Sequence, residues 1–216
     1  MKLFGYWRSS SSWRVRIALA HKGLAYENAP VHLLKEGGEQ HHHDHTARNP
    51  MNQVPVLEIV EDGRTIHISQ SLAILEYLEE RFPSPALLPS GRVARATARQ
   101  LAEMVNSGIQ PLQNLSVLRR LKNDLGLDEI AWAHHVIERG LGAIESVLET
   151  SAGRFAVGDA PTFADVCLVP QLYNARRYKV ALEPFPMSVR VEAACADLPA
   201  FRAAHPDRQP DAETLK

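Results

Sequence analysis

The sequence predicts an α/β domain over residues 1–82, a linker over residues 83–90 and an all-helical domain over residues 91–216. Strand-like and helix-like segments alternate in the first eighty residues, which is typical of a sheet covered by helices. Three prolines in the linker restrict the chain and the residues before them, so regular structure is expected to stop there. Beyond the linker we find helical patterns and no convincing strand.

The elements of the first domain follow from local composition and spacing. A short apolar and aromatic run predicts the first strand, and Gly23 marks the end of the helix that follows it. In chain order, the predicted segments are a strand at 2–7, a helix at 12–21, an extended segment at 24–33, a short polar helix or loop at 39–47, hairpin strands at 56–60 and 65–68, and a helix at 69–82. This order predicts one sheet with helices packed on it.

The second domain is predicted to contain helices over 92–120, 128–150, 162–176 and 188–196. Pro111 lies inside the first of them and removes an amide donor, so we expect a kink there. Gln110 and Asn114 are four residues apart and are expected on one helix face, as a cleft wall or as plain surface. Thr162 and Asp165 have the spacing of a capping box, which we interpret as structural.

Composition and charge exclude several function classes. A formal net charge of -1 gives no general attraction to nucleic acid or anionic lipid, so neither is predicted as a partner. The sequence shows no signal peptide and no apolar run long enough to span a bilayer. Two cysteines are too few for a disulfide framework, and the apolar neighbours of Cys167 predict a buried, inert thiol. We therefore expect the reducing cytoplasm as the location, and small-molecule chemistry or protein contacts as the function.

A run of four serines, residues 9–12, stands between the first strand and the first helix. One serine is enough to cap a helix, because its oxygen satisfies a free amide of the first turn. Three more at the positive end of a helix make a site for an anion or a thiolate. Spacing alone leaves both interpretations open, simple capping and an anion site.

Two further positions suggest contacts with a peptide-like ligand. Pro55 stands at the entrance of an apolar strand, and a cis Val54-Pro55 bond would leave the Val54 backbone free to pair with an extended peptide. Gln70 and Ser71 begin the next helix, where a serine hydroxyl suits a carboxylate. A simple cap is the alternative for Ser71.

The histidine-rich tract at residues 41–45 is the obvious metal-binding candidate. Consecutive histidines in a helix or strand point in different directions and do not converge on one ion. We therefore predict no functional metal site, with incidental affinity for nickel or zinc as a consequence of the tract.

Residues 9–19 read Ser-Ser-Ser-Ser-Trp-Arg-Val-Arg-Ile-Ala-Leu and resemble the signature Ser-Ser-Cys-Ser-Trp-Arg-Val-Arg-Ile-Ala-Leu of the zeta class of glutathione transferases. Further segments that match this class are 49–51, 53–55, 70–74, 108–116, 158–159, 164–165, 168–171 and 208–210. The resemblance thus covers nearly the whole chain in order. One departure matters: Ser11 stands where the class has a cysteine, so chemistry that needs a protein thiol there is absent.

The resemblance implies the architecture and activity of that class. It implies a thioredoxin-like glutathione-binding domain, a helical substrate-binding domain, glutathione as the cofactor and a homodimer. The implied activity is the isomerisation of maleylacetoacetate to fumarylacetoacetate, in tyrosine and phenylalanine catabolism, by reversible addition of the glutathione thiolate. Maleylpyruvate isomerisation and transfer to α-halo acids are the nearest alternatives, and a non-catalytic interaction scaffold is a further one.

The resemblance also implies which residues form the site. Ser9 is implied to donate its hydroxyl to the glutathione sulfur with support from Ser10, so these are the expected catalytic residues. The implied glutathione-binding residues are Ser9, Ser10, Ser11, Ser12, Trp13, Arg14, Gln40, Val54, Gln70, Ser71, Gln110, Asn114, Leu115 and Ser116. Substrate carboxylates are expected to meet Arg8, Arg176 or Arg177, with a solvated surface charge as the alternative for each.

The implied glutathione contacts run along the whole tripeptide. Val54 is implied to pair with the cysteinyl backbone, Gln70 and Ser71 to hold the γ-glutamyl carboxylate, and Gln40 to hold the glycyl end. The contacts expected from the helical domain are Gln110, Asn114 and Ser116.

Overall fold

The computed structural model describes residues 1–212. They group into two compact units, one comprising Met1–Ala86 together with the described chain from Leu198 onward, the other Leu87–Asp197. The predicted boundaries of the domains and the linker stay a prediction. The return of the chain to the first unit after Leu198 was not foreseen from the sequence.

The first unit contains a four-stranded mixed sheet with the strand order β2-β1-β3-β4. The strands are β1 (Lys2–Gly5), β2 (Glu27–Pro30), β3 (Val56–Glu61) and β4 (Arg64–Ser69). Strand β1 runs parallel to β2 and antiparallel to β3, and β3 and β4 form the predicted hairpin. Leu3 lies opposite Leu57, and both side chains are fully buried, which fixes the register at the centre of the sheet.

Three helices of the first unit are α1 (Ser10–His21), α2 (His43–Arg48) and α3 (Ser71–Arg81). Helix α1 ends as predicted, because Gly23 adopts a φ of 65° that suits glycine after a helix. It begins two residues earlier than predicted, since Ser9 already serves as its cap. The predicted order of strands and helices is confirmed, and so is the α/β class of this unit.

The second unit is helical, as predicted. Its helices are α4 (Arg92–Asn106), α5 (Leu115–Asn123), α6 (Glu129–Ser151), α7 (Phe163–Arg177) and α8 (Pro186–Ala196). Helix α7 is the most deeply buried of them and contacts α4, α6 and α8. Its apolar side chains, such as Val166 and Leu172, are fully buried.

The prediction of one kinked helix over 92–120 is wrong. Helix α4 ends at Asn106, a short 3₁₀ turn spans Gln110–Gln113, and α5 begins after Asn114. A Cβ atom on Gly108 would lie 2.6 Å from the carbonyl oxygen of Met104, so the chain turns sharply where only glycine fits. Pro111 therefore opens a new turn, and Gln110 and Asn114 do not share a helix face.

The capping box at the start of α7 is confirmed. The Asp165 carboxylate accepts from the Thr162 N–H at 2.7 Å and from the Thr162 hydroxyl at 2.9 Å. It also accepts from the Ala156 N–H at 2.8 Å. Burial raises the pKa of the Asp165 carboxyl, and these hydrogen bonds oppose the rise. The motif is thus entirely occupied by contacts within its own unit.

Two features of the described chain concern its helices and its cysteines. None of its helices is both long and apolar enough to cross a bilayer. Cys167 and Cys195 form no disulfide bond, and both side chains are buried, which confirms the predicted burial of Cys167. A further short helix, α9 (Pro199–Ala203), was not predicted and contacts α1 within the first unit.

Candidate active site

Ser9 lies at the junction between β1 and α1. It is the N-cap residue of α1, with an extended backbone, and its Oγ accepts from the Ser12 N–H at 3.2 Å. Its own N–H donates to the Tyr6 carbonyl at 3.0 Å, which fixes the turn that leads into the helix. The first turn of α1 contains no acidic residue. The positive end of this helix is therefore not neutralised by its own side chains.

The other serines of the run occupy different environments. Ser12 is fully buried, and its Oγ accepts from the Tyr6 N–H at 3.4 Å and lies against Gly5. Ser10 is nearly buried, whereas Ser11 is half-buried. The Ser12 hydroxyl is thus engaged inside the protein, and simple capping accounts for the Ser9 oxygen but not for Ser10 or Ser11.

A buried contact joins the starts of α1 and α3. The Arg14 guanidinium, fully buried, donates from Nη1 to the Ser71 Oγ at 3.1 Å. Ser71 is the first residue of α3, and the residue at the cap position is Gln70, with a φ of 68°. The alternative that Ser71 is a simple cap is therefore wrong. The first turn of α3 also lacks an acidic residue. The Arg14 guanidinium and the positive N-terminus of α3 therefore lie together, an arrangement that favours the binding of a carboxylate.

The loop before β3 has the predicted cis bond between Val54 and Pro55. The carbonyl oxygen of Gln53 is held by Asn49 Nδ2 at 2.8 Å and by His45 Nε2 at 3.0 Å. Asn49 and His45 are both buried. The peptide unit between Gln53 and Val54 is therefore fixed by hydrogen bonds from Asn49 and His45.

Gln40 provides a test of whether the site fits a peptide ligand. Its side chain is buried, and its Oε1 atom has no hydrogen-bond partner among the described residues. Gly38 lies so close that a Cβ there would stand 2.3 Å from the Gln40 amide. A buried, unpaired amide end is costly, and an amide can turn to accept from a peptide N–H or donate to a carboxylate. The orphaned end of Gln40 fits glutathione, which offers both.

The helical unit holds its predicted residues at two adjoining elements. Half-buried Gln110 lies in the 3₁₀ turn, and Asn114 caps α5, accepting from the Ser116 N–H at 3.2 Å. Leu115 and Ser116 form the first turn of that helix. Each of these residues lies within 108–116, one of the segments that match the zeta class.

A pair of buried glutamines holds this turn to α7, and the sequence analysis missed it. Gln113 Nε2 donates to Gln171 Oε1 at 2.8 Å, and Gln171 Nε2 donates back to Gln113 Oε1 at 3.3 Å. Gln113 is 6% exposed and Gln171 is not exposed. The only available signal was that both lie inside matching segments.

The three predicted arginines differ in their partners. Arg8 is half-buried, and its guanidinium lies 5.3 Å from the centre of the Trp7 ring. Arg176 makes a two-pronged ion pair with Glu192, at 2.6 Å and 2.5 Å, which raises the pKa of Arg176. Arg177 is exposed and lies 5.4 Å from the Tyr178 ring.

The predicted residues therefore fall into two groups. The first unit brings together the serines, Arg14 and Ser71, with Arg8 next in the chain, and it also carries Gln40 and Val54. The second unit carries Gln110 with Asn114, and the two C-terminal arginines of α7. Each assignment to glutathione or substrate stays a prediction.

The histidine tract spreads over a 3₁₀ turn and helix α2. His45 is buried, whereas His42 and His43 are exposed. Among the described residues, no three metal-ligating side chains come together. Burial lowers the pKa of His45, and the hydrogen bond to Gln53 opposes this.

Family models match both halves of this arrangement. The model described as Glutathione S-transferase, N-terminal domain, matches residues 1–80, and the one described as Glutathione S-transferase, C-terminal domain, matches residues 128–206. The chain belongs to the glutathione S-transferase family. The small mixed sheet and the helical unit are the architecture of this family, as predicted.

Within the glutathione S-transferases, the chain is similar to isomerases. It is 50% identical to the maleylacetoacetate isomerase of Rattus norvegicus, with 97% of this chain and 94% of that protein covered. A solved maleylacetoacetate isomerase from Anaeromyxobacter dehalogenans 2CP-1, with glutathione bound in its active site, has a TM-score of 0.91 and 59% identity over 98% of this chain and 97% of that one. A maleylpyruvate isomerase, called a bacterial zeta-class glutathione transferase, has a TM-score of 0.92 and 43% identity over 99% of this chain and 100% of that one.

Proposed function

We propose that this chain is a glutathione-dependent cis–trans isomerase that converts maleylacetoacetate to fumarylacetoacetate. The observation that carries the proposal is the start of α1, where Ser9 caps a helix whose first turn has no acid. Such a helix end favours an anion, and a thiolate is the anion that this reaction needs. Full-length similarity to maleylacetoacetate isomerases supports the same substrate.

Bound glutathione supplies a thiolate that adds to the conjugated double bond and leaves again after the resulting single bond has rotated. The residues of the first unit that would hold it are Arg14 with Ser71 at one end and Gln40 at the other. Arg14 and Ser71 present a cation, a hydroxyl and free helix amides to a carboxylate. Gln40 offers its side-chain amide, whose Oε1 atom has no hydrogen-bond partner among the described residues.

Ser9 would stabilise the sulfur in its charged form. A free thiol with a pKa of about 8.5 is only about 3% thiolate at pH 7. A hydrogen bond from the Ser9 hydroxyl, together with the positive helix end, would lower that pKa by about two units and raise the thiolate fraction roughly twentyfold. Ser10, one position into the helix, would support it with its hydroxyl and its amide.

Arg177 is the best candidate to anchor a substrate carboxylate from the helical unit. The Arg176 guanidinium is paired with the Glu192 carboxylate, whereas Arg177 is exposed and its guanidinium lies over the Tyr178 ring. An anchored end would allow the middle of the substrate to rotate. Arg8, directly before Ser9, would hold a group close to the sulfur.

Isomerisation of maleylpyruvate is the second candidate. A maleylpyruvate isomerase has a TM-score of 0.92 with this chain, and its lower identity of 43% is the reason we rank this substrate second. The chemistry demanded of Ser9 is the same for both substrates.

The deciding experiment is an ultraviolet assay of both substrates with glutathione, without it, and with S-methylglutathione, which lacks a free thiol. We expect conversion only with glutathione, and a higher kcat/KM for maleylacetoacetate. Conversion that proceeds equally well with S-methylglutathione would overturn the thiolate mechanism. Retention on immobilised glutathione without any turnover would favour a binding scaffold.

We further propose that the protein is a homodimer in the cytoplasm. The two buried cysteines are not joined by a disulfide bond, which suits a reducing compartment. Light scattering after size-exclusion chromatography tests the dimer, with a single species of about 24 kDa as the contrary result.

A further inference from the structure

After Leu198 the described chain returns to the first unit, and Asp211 reaches the turn that leads to Ser9. Within this unit, α9 contacts α1, and the ring of His205 meets the ring of Trp13 edge-on at 5.1 Å. Asp211 then reaches Trp7, which is 204 residues away in sequence. None of the catalytic or binding assignments made above uses this segment.

The peptide groups of Trp7 are held on both sides. The Trp7 N–H donates to Asp211 Oδ2 at 3.0 Å, and the Trp7 carbonyl accepts from Arg16 Nη2 at 2.8 Å. The second oxygen of Asp211 accepts from Asn28 Nδ2 at 3.4 Å, so the carboxylate is tied to β2 as well. Trp7 stands two residues before Ser9, and its side chain is buried.

Arg16 connects the returning segment to the same turn. It is 3% exposed, and its Nε donates to the Ala204 carbonyl at 3.2 Å while its Nη1 donates to the Tyr6 carbonyl at 3.4 Å. Burial lowers the pKa of Arg16 to about 10, opposed by Tyr26 and Asp211, so the group stays charged at neutral pH. A buried guanidinium needs these acceptors, and it in turn fixes their positions.

The Tyr6 carbonyl is shared between this cluster and the catalytic turn. It accepts from Arg16 and also from the Ser9 N–H, at 3.0 Å. A continuous path of hydrogen bonds and peptide units therefore runs from Asp211 through Trp7 and Arg16 to Ser9. A displacement of about 1 Å at a catalytic group is enough to cost much of its effect.

We propose that Asp211 is a positioning residue for Ser9, acting through the Trp7 peptide that it shares with Arg16. This inference rests on the proposed role of Ser9 in holding the glutathione thiolate. Loss of the Asp211 carboxylate frees the Trp7 N–H, and the turn then no longer fixes the Ser9 hydroxyl against the sulfur. Glutathione keeps its other contacts, at Ser71 and Gln40, so its affinity should change less than its reactivity.

The test compares Asp211→Ala and Asp211→Asn with Asp207→Asn in the full chain. Asp207 is a matched control because it lies in the same segment and is exposed. Titration of the ultraviolet thiolate absorbance of bound glutathione gives the pKa of its thiol, and calorimetry gives its affinity. For Asp211→Ala we expect a bound-thiol pKa about one unit higher and turnover at pH 7 lower by about threefold, because the thiolate fraction falls from about three quarters to about one quarter. The dissociation constant should change by less than about twofold.

Asp211→Asn should restore most of the wild-type behaviour, because an amide oxygen also accepts from the Trp7 N–H. Asp207→Asn should leave all three quantities unchanged. If Asp211→Ala only lowers the melting temperature and leaves the thiol pKa and the turnover of the folded enzyme unchanged, the role is structural and the proposal is wrong.

Amide hydrogen exchange separates this inference from the proposed function, since it needs no glutathione. We expect Asp211→Ala to speed exchange in residues 6–12, and not in β3, relative to wild type. Unchanged exchange in residues 6–12 would overturn the positioning role. If the wild-type protein itself binds no glutathione, the proposed function fails, whereas faster exchange confined to residues 6–12 still supports the positioning of the turn.

Discussion

Helices α1 and α7 both begin with a hydroxyl side chain at the cap, but their first turns are completed differently. At α7, Asp165 returns its carboxylate to Thr162 and also takes the Ala156 N–H, all within a fully buried motif. At α1, Ser9 caps the helix with its oxygen alone, and the first turn carries serines and no acid. One helix end is closed by the protein's own anion, and the other is left for an anion from outside.

This difference separates structural capping from ligand binding in two motifs of similar composition. A hydroxyl at the cap is common to both, so it does not distinguish them. The presence or absence of an acid three residues later does, because that acid neutralises the helix end before any ligand arrives. The start of α3 is a further helix end without an acid in its first turn, and here the Arg14 guanidinium from α1 adds a positive charge.

The largest expected effect is a loss of stability when the capping box at the N-terminus of α7 is removed. Asp165→Ala leaves the N–H groups of Thr162 and Ala156 buried without their acceptor, and we expect it to lower the free energy of unfolding by about 3 kcal/mol or more. Urea unfolding at neutral pH measures this. Ser9→Ala is the matched comparison and should cost only about 1 kcal/mol. Equal losses of stability at the two caps would remove the distinction between them.

The two arginines at the C-terminal end of α7 show a similar difference. Arg176 is paired with a carboxylate of the protein, Glu192, whereas Arg177 is exposed and is the proposed anchor for a substrate carboxylate. Arg177→Ala should raise KM for maleylacetoacetate roughly thirtyfold, which corresponds to a loss of about 2 kcal/mol of binding free energy, and should leave glutathione binding unchanged. Arg177→Lys should rescue it only partly, since lysine lacks the planar two-pronged donor set. Arg176→Ala is the control, because its guanidinium is paired with Glu192. An effect of Arg176→Ala alone would identify the neighbour as the anchor.

At the N-terminus of α1, removal of the Ser9 hydroxyl should mainly lower turnover. Ser9→Ala removes the hydroxyl expected at the sulfur, so kcat at saturating glutathione should fall by roughly tenfold to twentyfold while the protein stays folded. Steady-state kinetics and circular dichroism measure the two properties. Ser10→Ala should have the smaller effect on kcat. The reverse order would mean that Ser10 is the catalytic serine.

The start of α3 should affect binding more than reactivity. Ser71→Ala removes the hydroxyl that accepts from Arg14, at the end remote from the sulfur. We expect the dissociation constant of glutathione to rise about fivefold, or about 1 kcal/mol, with kcat changed less. Calorimetry decides this, and an unchanged affinity would contradict the assignment of this helix end to a carboxylate.

The smallest expected effect concerns His45, a titratable group buried like Asp165. Its folded-state pKa lies below the ordinary value of 6.5, so its contribution to stability is present above that pH and is lost as the pH falls through the lower value. Unfolding free energies between pH 7 and 5 should therefore fall less steeply in His45→Gln than in wild type, by less than about 1 kcal/mol. His43→Gln, at an exposed position, should keep the wild-type slope.

The features predicted correctly from the sequence were those set by near neighbours in the chain. The capping box of Thr162 and Asp165 closes over three residues, and the cis bond at Pro55 follows from a proline at a strand entrance. Gly23 ended α1 for the same local reason. The prediction of a kink at Pro111 was wrong because the helix already ends at Asn106, and Gly108, which lacks a Cβ, permits the close approach to the Met104 carbonyl oxygen there.

The site contacts missed by the sequence analysis join residues far apart in the chain. Arg14 and Ser71 are separated by 57 residues, Gln113 and Gln171 by 58, and Trp7 and Asp211 by 204. No local pattern encodes such pairs, since each depends on how the elements pack. Similarly, α9 is too short for a periodic signal, and its contact with α1 exists only once the chain has returned.

The return of the chain to Trp7 gives the protein an order of assembly during synthesis. A ribosome adds about 5–20 residues per second, so roughly ten seconds or more pass between translation of Trp7 and of Asp211. The sheet and helices α1 and α3 belong to the first 86 residues and can form meanwhile. The hydrogen bond from the Trp7 N–H to Asp211 can form only after residue 211 has been synthesised, so the nascent chain contains Ser9 long before it contains this contact.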